Sequence, residues 1–129
     1  MPSFQKRPGL FSKSAYAHAV ICYLPNKDAH GRTFDVEPWE TVALKLMGGL
    51  FGGATSYPSR GSYRRSNAQG RIVDEGVLIE TTRLVESFVE EAEFNTAALE
   101  RLGDFMRRFK KETRQEAVAM VVDGEMYYL

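Results

Sequence analysis

Glu75, Glu80, Arg83 and Glu86 are ionisable side chains on a stretch that otherwise reads as a buried strand. Charges at such positions must be paired or must face a cavity. The facing stretch, Tyr57-Pro-Ser-Arg-Gly-Ser-Tyr-Arg-Arg65, supplies cations. If the intervening loop Ser66–Gly70 closes symmetrically, Tyr63 faces Val73 and Tyr57 faces Ile79. Arg60, Arg64, Asp74 and Glu80 then share one face. This expectation makes Arg60, Arg64 and Glu80, with Arg83, candidate ligand-binding residues. The competing and favoured reading is an ion-pair network on a solvated sheet or across a subunit interface. His18 joins the candidates because it sits in the middle of an apolar run. There a hydrogen-bonded structural histidine is the favoured reading. Turned toward an uncovered sheet face, His18 would instead be a base or a haem ligand.

Several chemistries are disfavoured by what the sequence lacks. His18 and His30 have no i,i+4 partner and no Cys-x-x-Cys beside them, so no metal site and no cofactor is assigned. His30 lies in a polar loop with Asp28 and Arg32 and reads as solvated. Cys22 is the single cysteine, expected as a small buried hydrophobe, with no Cys-His-Asn grouping around it. Gly48-Gly49-x-x-Gly52-Gly53 follows a helix and precedes a strand, the reverse of a phosphate-cradling loop. The aromatic and basic residues of 57–65 invite comparison with sheets that stack RNA bases. The full signature of those modules is missing, and the expected register turns Tyr57 and Tyr63 toward the core. Seventeen basic and seventeen acidic side chains balance to zero, which argues against a surface dominated by phosphate contacts. Single-stranded nucleic-acid binding through Arg60 and Arg64 is therefore the least favoured alternative.

The elements that must position these residues are legible from periodicity. Ala15–Leu24 is apolar on both faces, as a central strand would be, and Pro25-Asn26 ends it. Asp35 reads as a helix cap. Val36, Trp39, Val42, Ala43, Leu46, Met47 and Leu50 then form one helical stripe that stops near the glycines. Residues 54–65 and 72–88 form a hairpin, with Thr81-Thr82 favouring strand to about residue 88. Asn95 caps a second helix, Thr96–Glu112, with Ala98, Leu99, Leu102, Phe105, Met106 and Phe109 inward. The last stretch turns at Asp123-Gly124, a dipeptide suited to a type I′ turn, which sets Val122 opposite Glu125, Met120 opposite Tyr127 and Val118 opposite Leu129.

The order is β-α-β-β-α-β with one added strand. This predicts an α+β, ferredoxin-like antiparallel sheet with two helices on one face. Residues 1–14 read as an arm and 15–129 as a single domain. Two helices cover only one face, yet the strands at 15–24 and 116–122 are apolar on both. A second copy would bury the other face, as in dimeric α+β barrels. Met126, Tyr127, Tyr128 and Leu129, on an edge strand, are the expected contact residues.

The motifs Gly61-Ser-Tyr63, Gly70-Arg-Ile-Val-Asp-Glu75, Arg114-Gln-Glu-Ala-Val118 and Asp123-Gly124 together resemble those of small uncharacterised bacterial proteins with a ferredoxin-like fold. The resemblance implies the fold and carries over no site. The functional expectation is a cytoplasmic, non-enzymatic binding or assembly module, homo-oligomeric (a dimer) through the open sheet face, with no membrane span and no secretory signal. The alternative is a small-molecule-binding protein or small enzyme with a pocket on that face.

Overall fold

The structure, a computed structural model, describes residues 18–66 and 72–129. The expected N-terminal arm lies outside the described residues. The elements run β1 (His18–Pro25), α1 (Glu37–Phe51), β2 (Thr55–Ser66), β3 (Ile72–Val89), a 3-10 turn at Glu91–Glu93, α2 (Thr96–Glu112), β4 (Ala119–Val122) and β5 (Glu125–Tyr128). They build one antiparallel sheet in the order β2-β3-β1-β4-β5. This is the ferredoxin-like arrangement with one strand added beyond β4. β1, apolar on both sides, lies in the middle.

One side of the sheet carries the core. Val20, Cys22 and Leu24 of β1, Val85 and Val89 of β3, and Val118 and Met120 beside and on β4 are buried against the helices. From α2 come Leu102, Met106 and Phe109, and from α1 Ala43, Met47 and Phe51. The Trp39 ring meets Phe109 edge-on at 5.3 Å, which seams the two helices together. Two buried hydroxyls bond to backbone: Ser87 Oγ donates to Gly53 O at 2.7 Å, and Thr113 Oγ1 donates to Phe109 O at 2.6 Å.

Local signals act where expected. Asn95 Oδ1 accepts from Ala98 N at 2.9 Å at the start of α2. Gly52 ends α1 at φ +88°, a value that glycine adopts without strain. Asp123 (φ +51°) and Gly124 (φ +83°) form the terminal turn, and the register Val122–Glu125 and Met120–Tyr127 follows. The α1 stripe differs in detail. Val42 is exposed and Phe51 is buried, because the inward line runs through Trp39, Ala43 and Met47 at i,i+4 spacing. Gly48-Gly49 lies inside the helix, and only Gly52 stops it. Asp35 bonds Glu37 N at 3.0 Å from one position before the N-cap residue Val36.

The β2–β3 hairpin corrects the expected register. Tyr57 pairs with Leu84, Gly61 with Glu80, Arg60 with Thr81 and Arg64 with Val77, and a bulge separates Arg64 from Ser66. The observed pairing differs from the symmetric closure by an odd number of residues. An odd slip moves every side chain of one strand to the other face. Tyr57 therefore shares the open face with Glu80 and Glu86, while Arg60 and Arg64 lie on the opposite side of the hairpin.

Candidate functional site

The open face of the sheet holds Ile21 and Tyr23 from β1, Tyr57 from β2, and Glu80, Thr82, Leu84 and Glu86 from β3. Ala119 and Val121 of β4 and Met126 and Tyr128 of β5 continue the same face. At one end this surface deepens into a cavity of about 370 Å³. Tyr23, Pro25, Glu80, Thr82, Ala119 and Tyr128 give its sheet side, and Lys27–Ala29 with Gln115–Val118 give its rim. The volume lies in the range of small-ligand sites. Hydrogen bonds tie the two rim loops together: Ala29 N donates to Arg114 O at 2.9 Å, and the Gln115 side-chain Nε2 donates to Lys27 O at 2.9 Å.

Glu80 is the carboxylate on the sheet side of this cavity, and Asp28 and Glu116 stand on its rim. Burial raises its pKa above the ordinary glutamate value, and the nearby Lys27 ammonium opposes that rise. Lys27 Nζ is itself engaged, donating to Ile79 O at 3.2 Å. A half-buried carboxylate in a cavity that two tyrosines also line is suited to a cation, which both the charge and the aromatic faces attract.

The five residues expected to form one pocket are separated by the fold. Glu80 alone lines the cavity. Arg60 and Arg64 lie across the hairpin from it. Arg83 points to the helix side, with Nε 3.8 Å from Glu40 Oε2 of α1. His18 belongs to the covered side as well, in line with Val20 and Cys22. The expected set fails because positions 80 and 83 have opposite parity on one strand, and because the bulged hairpin reverses the facing strand. Among the interface candidates, Met126, Tyr127 and Tyr128 are exposed, whereas Leu129 is half-buried against the core and exchanges backbone bonds with Val118. Tyr23, Lys27 and Gln115 carry no motif that could have marked them as cavity residues.

His18 is held at the opposite end of β1. Its Nδ1 lies 2.7 Å from Asp123 Oδ2 and its Nε2 2.7 Å from Glu91 Oε2. The ring stacks on Phe94 at 3.8 Å. Only the imidazolium can donate from both nitrogens at once. The hydrogen bond to Asp123, and then that to Glu91, raises the His18 pKa above 6.5, while the bond from His18 holds Asp123 below its ordinary value. Asp123 also accepts from Ala19 N at 3.0 Å, so the cluster pins the terminal turn to β1. Because the folded-state pKa of His18 is the higher one, its contribution to stability is full below about pH 6.5. That contribution is lost as pH rises through the raised value. A pH series of urea midpoints should show this alkaline loss, and His18→Gln should remove it. Matching profiles for the two proteins would contradict the role. Cys22, with its thiol pushed up to about 12 by burial, is no nucleophile.

No protein-family model and no curated protein matches the chain. Among solved structures, a phage SAM lyase in complex with S-methyl-5'-thioadenosine has a TM-score of 0.64 at 11% identity, covering 93% of this chain and 94% of that one. The same kind of enzyme, a phage SAM lyase in its apo state, gives 0.62 at 12% identity over the same shares. The likeness is one of fold. It runs nearly end to end through both chains. Among the described residues no helix is long and apolar enough to cross a membrane.

Proposed function

We propose that the protein binds a small cationic ligand in the sheet-face cavity, and that it is an enzyme acting on a nucleoside sulfonium such as S-adenosylmethionine. The observation that carries this reading is Glu80, a half-buried carboxylate raised by burial, in a cavity of about 370 Å³ with Tyr23 and Tyr128. A sulfonium centre would neutralise the carboxylate, and a flat adenine ring would find an aromatic wall. The fold shared with a phage SAM lyase supports the choice of ligand class. The reaction to expect is cleavage between sulfur and the amino-acid chain: the bonding pair stays on sulfur as S-methyl-5'-thioadenosine leaves, and the substrate's own carboxylate closes on the freed carbon as a lactone.

Calorimetry with S-methyl-5'-thioadenosine and chromatography of S-adenosylmethionine after incubation test the two halves separately. Binding together with release of the thioether nucleoside is the expected result. Binding without turnover would leave a ligand-binding protein and remove the enzyme. No heat and no thermal shift with either compound at millimolar concentration would overturn the site. A second reading is a non-enzymatic module, homo-oligomeric through the open face, favoured by the exposed Met126, Tyr127 and Tyr128 on edge strand β5. In that reading an assembled protein binds neither compound, so the same calorimetry separates the two.

A further inference from the structure

β3 is far longer than the sheet it belongs to. β1 pairs with it only over Thr82–Val89, and Asn26 N donates to Thr81 O just beyond, so Ile72–Glu80 extends with β2 as a two-stranded ribbon. At roughly 3.3 Å per residue the ribbon reaches about 30 Å beyond the third strand. A two-stranded ribbon is marginal in water unless something packs on it. Its surface asks for a partner. Val77 is 58% exposed and Ile79 51% exposed, and they share one side of the ribbon with Arg60 and Arg64. Both arginines are exposed, and neither makes an ion pair among the described residues.

The complementary surface lies on the same chain. Glu86 is a half-buried carboxylate on the open face, next to Ile21 of β1 and Thr55 of β2 across the strands and near Tyr57. Burial first, and the Glu86 charge second, push the Tyr57 phenol up, which places that charge within reach of the ring. Glu86 too has no cationic partner among the described residues. A ribbon with apolar side chains and unpaired arginines thus matches an apolar face with an unpaired carboxylate. The zero net charge of the chain fits a pairing satisfied between copies.

We infer that the β2–β3 ribbon docks on the open sheet face of a second copy, Val77 and Ile79 against its apolar surface and Arg60 or Arg64 against its Glu86. The two patches are different, so the contact either closes a ring or is exchanged reciprocally between two copies. This assembly deepens the second reading above: the receiving face is the one that holds the other copy's Glu80 cavity, while the docking ribbon presents the side opposite its own Glu80.

Sedimentation and light scattering at micromolar concentration test it. The parent should exceed the 14.6 kDa of one chain. R60E with R64E should weaken association about a hundredfold, and E86R should do the same, because each sets like charges against each other. Combining all three reversals should restore assembly. V77S with I79S, which alters only exposed positions, should dissociate the protein without touching a charge. A parent of single-chain mass overturns the proposal, and so does an oligomer indifferent to both the charge reversals and V77S/I79S. A single-chain parent that binds a single-stranded oligonucleotide in a salt-dependent way, lost in R60E/R64E, would assign the ribbon to nucleic acid instead.

Discussion

Glu80→Gln should leave the protein as stable as the parent at neutral pH, or more stable, while lowering its affinity for S-adenosylmethionine about ten- to a hundredfold. The two effects have one cause. Burial raises the Glu80 pKa, so the folded state holds that proton more tightly than the unfolded chain does. Stability is then highest below the ordinary glutamate range and falls as pH rises through the raised value. Above it the fold carries the full penalty of an ionised, half-buried carboxylate. Glutamine keeps the shape and removes the penalty. It also removes the charge that a sulfonium would meet, and a hydrogen bond or contact to a charged group contributes about 1.5–3 kcal/mol. Affinity in the parent should fade as the solution is acidified through the raised Glu80 value, and the variant should show no such fading. Calorimetry across pH reads both. Equal affinities for parent and variant would separate Glu80 from the ligand. Stability sacrificed at a binding group is the usual signature of function.

Phe109→Ala should remove a large share of the stability of the domain. Phe109 is fully buried where α2, Trp39 and Phe34 meet. Truncating a buried phenylalanine costs about 3–5 kcal/mol, counting lost transfer energy and the cavity left behind. A domain of this size has about 5–15 kcal/mol in total. Urea unfolding should show a strongly lowered midpoint with an unchanged slope. Val42→Ala is the matched comparison: Val42 is on the outer side of α1, and its loss should change stability by about 0.5 kcal/mol or less. Equal effects at the two positions would contradict the helix-on-sheet layering described above.

Those two contrasts separate what each kind of signal can report. The α2 stripe, its Asn95 cap and the Asp123-Gly124 turn were legible because each depends on residues within one or two turns of chain. The central place of β1 was legible for a related reason, since a strand covered on both sides needs no polar face. The element order then led to the sheet, because a β-α-β-β-α-β succession has few compact solutions.

The site was a different matter. Arg60, Arg64 and Glu80 were grouped by assuming a symmetric hairpin, and one bulge between Arg64 and Ser66 with an odd change of register set them on opposite faces. His18, interrupting an apolar run, reads as a hydrogen-bonded structural histidine, but nothing near it in the chain names its partners. Its partners, Asp123 and Glu91, are 105 and 73 residues away in the chain.

By itself the sequence determined the elements, the α2 cap and the terminal turn, and hence an α+β sheet with helices on one face, because period and turn chemistry act over a few bonds. Tertiary structure alone decided which ionisable groups meet. That choice depends on strand register and on loops such as 25–29 and 115–118 closing over Glu80. Both are set by pairing between distant segments, where a one-residue step reverses every side chain.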